Sequence, residues 1–274
     1  MCSASKFVVC FVALAASMPA MAATHDLWVC ADRNNLPYSN ERGEGFENKM
    51  AEMVARDLGL SLHYVWWPAS PTFAHKIFRR GACDVIMGVP SRGYDLAEPT
   101  HPYYRSSYVF VTRRDRNLRI ASFDDPSLRA LRIGLPVVDD ASTPSAQELS
   151  RRGLITNVRG YNPFGNLSKA NQPAEVVNAV ARNEVDVAIA WGPVAGYAAL
   201  KSAVALVLTP ICTGADSDAA PQSFEISVGV RRGEEDLLRR LDTELIRRKK
   251  RIHRLLVSYG GPLLSLQSSP GLCK

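Results

Sequence analysis

The sequence lacks the motifs that mark most catalytic and metal centres. Its 274 residues contain no G-x-S-x-G, H-E-x-x-H or C-x-x-C pattern, and the five histidines are scattered. These absences argue against a serine hydrolase, a zinc protease and a thiol redox centre. The acidic pairs Asp124-Asp125, Asp139-Asp140 and Glu234-Glu235 fall in predicted turns or helix starts, where carboxylates complement helix dipoles. We therefore predict a protein that is not an enzyme and holds no cofactor. Calcium takes roughly six to eight oxygens, more than such a pair supplies, so we also predict no metal site.

Long apolar runs are missing too, apart from one near the N-terminus. Lys6 precedes an uncharged stretch from Phe7 to Ala16, and Ala20-Met21-Ala22 fits the small-x-small rule of signal peptidase. This run is shorter than the roughly 20 apolar residues of a membrane span. We interpret residues 1–22 as a cleaved signal peptide and predict an exported, periplasmic protein without a membrane span.

Cysteine is sparse but even in number once the signal is removed. Cys2 and Cys10 leave with the signal, and the four that remain are Cys30, Cys83, Cys212 and Cys273. An even number in an oxidising compartment predicts disulfides. Four cysteines allow three pairings. Cys30 ends the first predicted strand and Cys83 begins another, and adjacent parallel strands would bring them together, so we favour Cys30 with Cys83 and Cys212 with Cys273.

Charge is mildly basic and unevenly placed. The full chain carries +6, and losing Lys6 leaves 32 basic against 27 acidic residues, or +5. Much of the excess lies in the segment Arg231–Arg254, where arginines and lysines interleave with leucines and isoleucines as in an amphipathic helix. This exported chain has no aromatics interleaved on that face, so we exclude nucleic acid as a partner. We interpret the face mainly as solvated, with docking to an acidic protein as the alternative.

Strand and helix patterns alternate along the first part of the mature chain. Strands are predicted over Leu27–Ala31, Ser61–Trp67 and Cys83–Val89, and helices over Phe46–Leu58 and Pro71–Arg80. This alternation indicates a parallel sheet, with ligands beyond the carboxyl ends of the strands.

The alternation repeats after the charged break Arg113–Asn117, which predicts a second α/β lobe. A Gly/Asp/Ala/Pro-rich stretch, Thr213–Pro221, then precedes the strand Phe224–Val230 and the basic helix. Two crossings between lobes create a hinge and a cleft. We predict lobe one from 23–112 plus 213–274 and lobe two from 113–212.

Several motifs in a fixed order carry a family resemblance. C-D-V-I-M-G-V from Cys83, P-Y-Y-R-S-S-Y-V-F-V from Pro102 and D-V-A-I-A-W-G-P-V-A-G-Y from Asp186 resemble the type II periplasmic solute-binding proteins. The subgroup is indicated by five further segments, Leu36–Asn40, Gly43–Lys49, Tyr64–Pro68, Asn157–Tyr161 and Trp191–Pro193. Together they are similar to the MxaJ and XoxJ group, the binding-protein-like accessory proteins of quinoprotein methanol dehydrogenases, over essentially the whole mature chain.

The resemblance implies a type II periplasmic binding protein fold and a non-catalytic role. It implies a partner, a dehydrogenase dependent on pyrroloquinoline quinone (PQQ) that oxidises methanol, met through protein–protein contact during assembly, maturation or activation. The alternative function is the substrate-binding component of an ABC importer for a small solute other than an amino acid.

Amino-acid binders of this fold usually hold the carboxylate with an arginine after the third strand and the ammonium with an aspartate after the last strand of lobe two. Here Arg92 lies near the first position but is followed by Gly93-Tyr94-Asp95 in a loop of different length. Trp191-Gly192 stands at the position of the aspartate that would bind the ammonium. A buried ammonium without its carboxylate loses about 1.5–3 kcal/mol, so we hypothesise that amino-acid binding is lost.

Aromatic and single polar residues that follow predicted strands or open helices are candidates for the cleft. Phe46 and Tyr197 are equally well explained as core packing, and Arg105 as a structural ion pair. A threonine before Pro144 fits a helix N-cap, and the charge of Asp139 and Asp140 there would repel a carboxylate. The predicted cleft residues are Asn35, Tyr38, Phe46, Trp67, Arg105, Thr143, Trp191 and Tyr197.

Overall fold

The computed structural model describes residues 26–67, 76–137, 143–163, 172–212 and 219–266, so the predicted signal peptide lies outside the described residues. The helices are α1 (Phe46–Leu58), α2 (Pro144–Arg151), α3 (Glu175–Ala181), α4 (Gly192–Lys201) and α5 (Glu235–Ser258). The strands are β1 (Asp26–Asp32), β2 (Asn34–Asn35), β3 (Ser39–Asn40), β4 (Ser61–Trp67), β5 (Val85–Pro90), β6 (Glu98–Pro99), β7 (Tyr104–Arg113), β8 (Ile133–Pro136), β9 (Val158–Tyr161), β10 (Val187–Trp191), β11 (Leu206–Pro210) and β12 (Ser223–Val230).

The first half of the chain builds one end of a mixed sheet. β1 is paired in parallel with both β4 and β5, and β12 joins β5 antiparallel. The predicted strand–helix–strand alternation is confirmed here, because α1 connects β1 to β4 as a parallel crossover. Beyond β4 the chain is helical over residues 76–79, whereas 68–75 lie outside the described residues. Leu27, Val29, Met50 and Leu245 are all buried in the core between this sheet and the helices α1 and α5.

The second half continues the same sheet with its own core. β8 is paired in parallel with β9 and β10, while β10 and β11 flank β7 antiparallel. The two cores here contain valines and alanines of α3 and β10 on one side and Phe110, Leu128 and Leu149 on the other. The repeat of alternating elements that the sequence predicts is therefore present.

β7 and β12 connect the two halves. The start of β7 pairs with β12, as in Ser107 with Ser223, whereas the rest pairs with β10 and β11, as in Tyr108 with Trp191. The pairing partner thus changes between neighbouring residues 107 and 108. Strand β7 carries the chain out of the first half, and β12 brings it back to α5.

The predicted disulfide between Cys30 and Cys83 is present and links β1 to the residues before β5. The two Cα atoms are 5.5 Å apart, and both cysteines are buried beside Trp67 and Phe78. Cys212 is also disulfide-bonded. Its predicted partner, Cys273, lies outside the described residues, so that pairing stays a prediction.

Removing this disulfide should weaken the first half of the fold. We expect the double substitution Cys30→Ala, Cys83→Ala to lower the free energy of unfolding by about 2–5 kcal/mol, because the bond closes a long loop in the unfolded chain; the two cysteines are 53 residues apart. Urea unfolding of the mature protein, followed by tryptophan fluorescence, measures the change. A loss below about 1 kcal/mol would contradict a stabilising role for the bond.

Helix α5 is amphipathic, as predicted. Leu241, Leu245, Ile252 and Leu256 face the core, and the side chain of Arg248 donates two hydrogen bonds of 2.7 Å to Asp57 of α1. Its exposed C-terminal half carries a group of five basic residues, here termed the cationic face: Lys249, Lys250, Arg251, His253 and Arg254. Among the described residues, no helix combines the length and apolar character of a membrane span.

Candidate functional site

A cleft opens where the strand ends of the two halves meet. A cavity of about 390 Å³ and a neighbouring one of about 210 Å³ share Asn35, Tyr38, Tyr108 and Trp191 in their walls, and we treat them together as the cleft. The larger cavity is also lined by Glu47, Met87, Gly88, Pro90, Tyr104, Pro144, Phe224 and Ile226. The lining therefore comes from both halves and from the two strands that connect them.

The loop between β1 and α1 places Tyr38 in the cleft wall. Backbone N–H groups of Phe46 and Glu47 donate to the carbonyls of Pro37 and Tyr38 at 2.8 and 2.9 Å. The side-chain oxygen of Asn48 accepts from Asn40 N and Gly45 N at 3.0 and 3.1 Å. A Cβ at Gly45 would overlap the Tyr38 carbonyl, so only glycine permits this close approach.

Trp191 forms the opposing wall. It is the last residue of β10 and the N-cap of α4, and its ring lies 5.4 Å from that of Tyr108 and 6.0 Å from that of Phe224. The next residue, Gly192, faces away into tight packing, because a Cβ there would lie 2.5 Å from Ser106 Oγ. An acidic side chain at position 192 therefore has no room in this structure.

Glu47 lies in the wall of the larger cavity and is 8% exposed. Burial raises the pKa of its carboxyl group to about 8, because water no longer stabilises the charged form. The neighbouring Tyr103 hydroxyl lowers this pKa only in part, and the carboxylate of Asp32 raises it further. Glu47 is consequently uncharged in most molecules at neutral pH.

Glu47 is also the only Asp, Glu, Lys, Arg or His among the described residues that line the cleft. The tyrosines around it stay neutral, since burial raises the pKa values of Tyr38, Tyr104 and Tyr108. The described walls therefore offer aromatic rings, an amide and a carboxyl group, but no cation for an anionic ligand.

Four of the residues predicted for the cleft line it in the structure. Asn35, Tyr38 and Trp191 are in both cavities, and Thr143 lines the smaller one. Thr143 is the predicted N-cap of α2, with its Oγ1 accepting from Ala146 N at 3.2 Å. Asp139 and Asp140 lie outside the described residues. Ligand contact by any of the four stays a prediction.

The structure places the other four predicted residues elsewhere. Phe46 is buried in edge-to-face contact with Tyr38, Tyr104 and Tyr259, and Trp67 packs beside the disulfide. Tyr197 stacks on Tyr259 at 5.9 Å.

Arg105 is buried on the far side of β7, where it donates to Ser223 Oγ at 3.0 Å and to the Ser265 carbonyl at 3.4 Å. Arg92, at the position of the expected carboxylate ligand, lines a separate groove together with Arg105.

Sequence reasoning missed Glu47, Tyr104, Tyr108 and Phe224 as cleft residues. One signal was available for the two tyrosines: residues four apart in a strand share a face, whereas Arg105 points to the opposite one. No comparable signal exists for Glu47, whose position in the first turn of α1 is typical of an exposed carboxylate.

A second concave surface lies beside the cleft, and Tyr104 contributes to the lining of both. This basic groove, about 630 Å³, runs between the cationic face and the segment after α5. Lys249, Lys250, His253 and Arg254 line it, with Arg105 at its base, and no acidic residue is part of its described lining. None of the cationic-face residues makes an ion pair of 4 Å or less within the described part of the chain.

Comparison with known proteins places these features in a class. The periplasmic binding protein XoxJ from Methylobacterium extorquens AM1 superposes with a TM-score of 0.71 at 36% identity, covering 87% of this chain and 99% of that one. MxaJ from Methlophaga aminisulfidivorans MPT superposes with a TM-score of 0.74 at 27% identity, over 87% and 100% of the two chains. The fold is that of a two-lobed type II periplasmic binding protein, as predicted.

The sequence comparison gives the family. The chain is 31% identical to Protein MoxJ of Paracoccus denitrificans over 263 residues, which cover 92% of this chain and 94% of the relative. It therefore belongs to the MoxJ family, which agrees with the predicted MxaJ and XoxJ resemblance. No protein-family model matches the chain.

Proposed function

We propose that this protein is a periplasmic, non-catalytic accessory protein of a PQQ-dependent methanol dehydrogenase, which it meets by protein–protein contact after its signal peptide is removed. Membership of the MoxJ family over nearly the whole chain is the observation that carries this proposal. The roles it fits are assembly, maturation or activation of the dehydrogenase.

The chemistry of the cleft supports a departure from amino-acid transport. An amino-acid zwitterion needs a cation for its carboxylate, and the described lining contains none. Arg92 is turned into another groove, and Gly192 stands where an acidic side chain would clash. A zwitterion bound here would keep an unpaired carboxylate away from water, at a cost of about 1–3 kcal/mol or more.

The basic groove provides the docking surface in this proposal. Lys249, Lys250 and Arg254 are exposed on one face of a helix that Arg248 anchors to α1 through Asp57. Their charge is not neutralised within the described chain, so an acidic protein surface gains by contacting them. Because α5 packs on the core through its buried leucines and isoleucine, the backbone positions of these charges are set by the fold. We propose that the occupant is an acidic surface of the dehydrogenase.

We further propose that the lobes divide as the sequence suggests, with 23–112 and 213–274 in lobe one and 113–212 in lobe two. The change of pairing partner within β7, between Ser107 and Tyr108, supports a hinge there. Bending at this point would open or close the cleft without disturbing the docking surface on α5.

Charge reversal tests the docking surface. We expect Lys249→Glu, Lys250→Glu to reduce co-purification of the dehydrogenase with the tagged mature protein from periplasm by tenfold or more, because like charges then face the acidic partner. Native mass spectrometry identifies the subunits recovered. The control, Arg119→Glu, Arg129→Glu, changes charge equally on exposed residues of the other half and should recover as much dehydrogenase as the natural chain.

A third variant separates the surface from the cleft. Trp191→Ala removes the largest ring of the cleft wall and should leave dehydrogenase recovery unchanged if docking uses α5. Recovery lost with Trp191→Ala and kept with the charge reversal would move the interface to the cleft. Recovery of no dehydrogenase by the natural chain would refute the accessory role.

A second candidate function is the substrate-binding component of an ABC importer for a small solute other than an amino acid. The open cavity of about 390 Å³ favours it, since an accessory protein needs no ligand space. A small molecule retained in native mass spectra without any protein partner would support this alternative.

A further inference from the structure

The wall of the cleft combines a buried carboxyl group with aromatic rings. Glu47 shares the larger cavity with Tyr38, Tyr104, Tyr108, Trp191 and Phe224. We propose that this cleft is a binding site for a small organic ammonium ion, with Glu47 as its counter-ion and the rings as its cage. The proposal concerns a ligand and does not depend on the accessory function.

The first argument is that Glu47 has no cationic partner of its own. It makes no ion pair of 4 Å or less with any Lys, Arg or His of the described residues, although it is more than nine-tenths buried. Buried carboxylates are normally paired, because an unpaired one is costly. Here the space that a partner would fill is the open cavity, so a bound cation would complete the pair.

The second argument is that backbone contacts fix the position of Glu47. Its N–H donates to the Tyr38 carbonyl at 2.9 Å, which fixes the start of α1. Gly88 has φ +72°, and a Cβ there would overlap the Glu47 carboxyl oxygen. Glycine is therefore favoured at position 88 for two reasons: it adopts the left-handed backbone conformation without strain, and it leaves space for the Glu47 carboxyl group.

The third argument comes from the rings. Aromatic faces attract cations electrostatically, and cages of several rings recognise substituted ammonium ions. Trp191, which has the strongest such face, lies with Tyr108 and Phe224 at ring distances of 5.4 and 6.0 Å. An anionic ligand meets no cation here, whereas a cation gains a charge-assisted contact with the ionised carboxyl group that a neutral ligand does not make.

Binding of a cation at this site should release a proton. The groups facing Glu47 are Asp32 at the end of β1, Tyr38 in the following loop, Tyr64 on β4, and Tyr103 and Tyr104 at the start of β7. The tyrosines among them keep their own protons at neutral pH, because burial raises their pKa values. A cation within contact distance favours the carboxylate, so the proton leaves to solvent.

The experiment is isothermal titration calorimetry at pH 7 with n-butylammonium chloride as the probe and n-butanol as its neutral counterpart. The titration is run in two buffers that differ in ionisation enthalpy, because the difference in measured heat gives the number of protons released. Neither buffer is an organic cation, since such a buffer would compete with the probe. We expect a dissociation constant of about 1 mM or lower for the natural chain, at least about tenfold weaker binding by Glu47→Gln, and release of nearly one proton per ligand.

The matched control is Glu52→Gln, on the exposed side of the same helix, where Glu52 is 3.6 Å from Lys49. This variant should bind n-butylammonium like the natural chain. The proposal is overturned by any of four results: no detectable binding, equal binding by Glu47→Gln, binding of n-butanol as tight as that of the amine, or binding without proton release. Circular dichroism of each variant verifies that it is folded.

Discussion

Replacing Glu47 by glutamine is expected to stabilise the ligand-free protein at pH 8 by about 2–4 kcal/mol. The unfolded chain ionises this group near pH 4.5, whereas burial raises its pKa in the fold to about 8. Between these values the folded protein holds a proton that the unfolded chain has released, so its stability falls as pH rises. Each pKa unit is worth about 1.4 kcal/mol, which sets an upper bound of about 5 kcal/mol.

The sign of the effect distinguishes Glu47 from the other carboxyl groups. Asp186, bound by Arg132 and Arg116, has a pKa lowered to about 2, so its contribution is present above about pH 4 and is lost below it. Glu47 contributes in the opposite direction, over the window from pH 4.5 to 8. The difference in unfolding free energy between the natural chain and Glu47→Gln, taken at each pH, isolates the contribution of Glu47, because Asp186 is the same in both proteins.

Urea unfolding of both proteins at pH 5, 6, 7 and 8 provides the measurement. The gap in unfolding free energy should widen steadily with pH and be smallest at pH 5, because this pH is closest to the unfolded pKa of about 4.5, where folding costs the least proton uptake. The unfolding free energy of Glu52→Gln, a change on the solvent side of α1, should vary with pH in the same way as that of the natural chain. A gap that is constant across this range would show that the Glu47 carboxyl group titrates normally.

Much of the fold follows from local patterns in the sequence. Apolar periodicity gives α1 its predicted bounds, Phe46–Leu58, and Gly59 in the left-handed conformation ends it. Strand alternation places β4 over Ser61–Trp67, again as predicted. The bridge between Cys30 and Cys83 follows because Cys30 lies in β1 and Cys83 shortly precedes β5, the parallel strand that pairs with β1. These features depend on residues close in sequence or on a single pairing, which is why the sequence suffices for them.

The candidate site depends on contacts that the sequence does not display. Phe46 and Glu47 are neighbours at the start of α1, and successive helix residues point about 100° apart, so one faces the core and the other the cleft. Which of them faces which is decided by β5, where Gly88 leaves room for the Glu47 carboxyl group. Arg105 differs, because the period of two along β7 already puts it opposite Tyr104 and Tyr108.

Gly45→Ala should strongly destabilise the loop that carries Tyr38 into the cleft wall. Gly45 has φ −77° and ψ 157°, an extended conformation that any residue adopts, so backbone strain is not the reason. The added Cβ would overlap the carbonyl of Tyr38, and this carbonyl belongs to backbone that is hydrogen-bonded to the start of α1. Neither side can move without breaking these bonds. We expect a loss of about 3 kcal/mol or more in unfolding free energy.

The same substitution should remove Tyr38 from the cleft wall, because the loop must shift away from α1 to relieve the overlap. Urea unfolding measures the stability, and a crystal structure of the variant locates Tyr38. Gly261→Ala is the matched control: its φ is ordinary and the nearest atom to a Cβ, Pro193 Cα, is 3.5 Å away, so it should cost under about 1 kcal/mol. Equal losses for the two variants would mean that the loop adapts freely, and that the position of Tyr38 beside Glu47 is not fixed by the backbone.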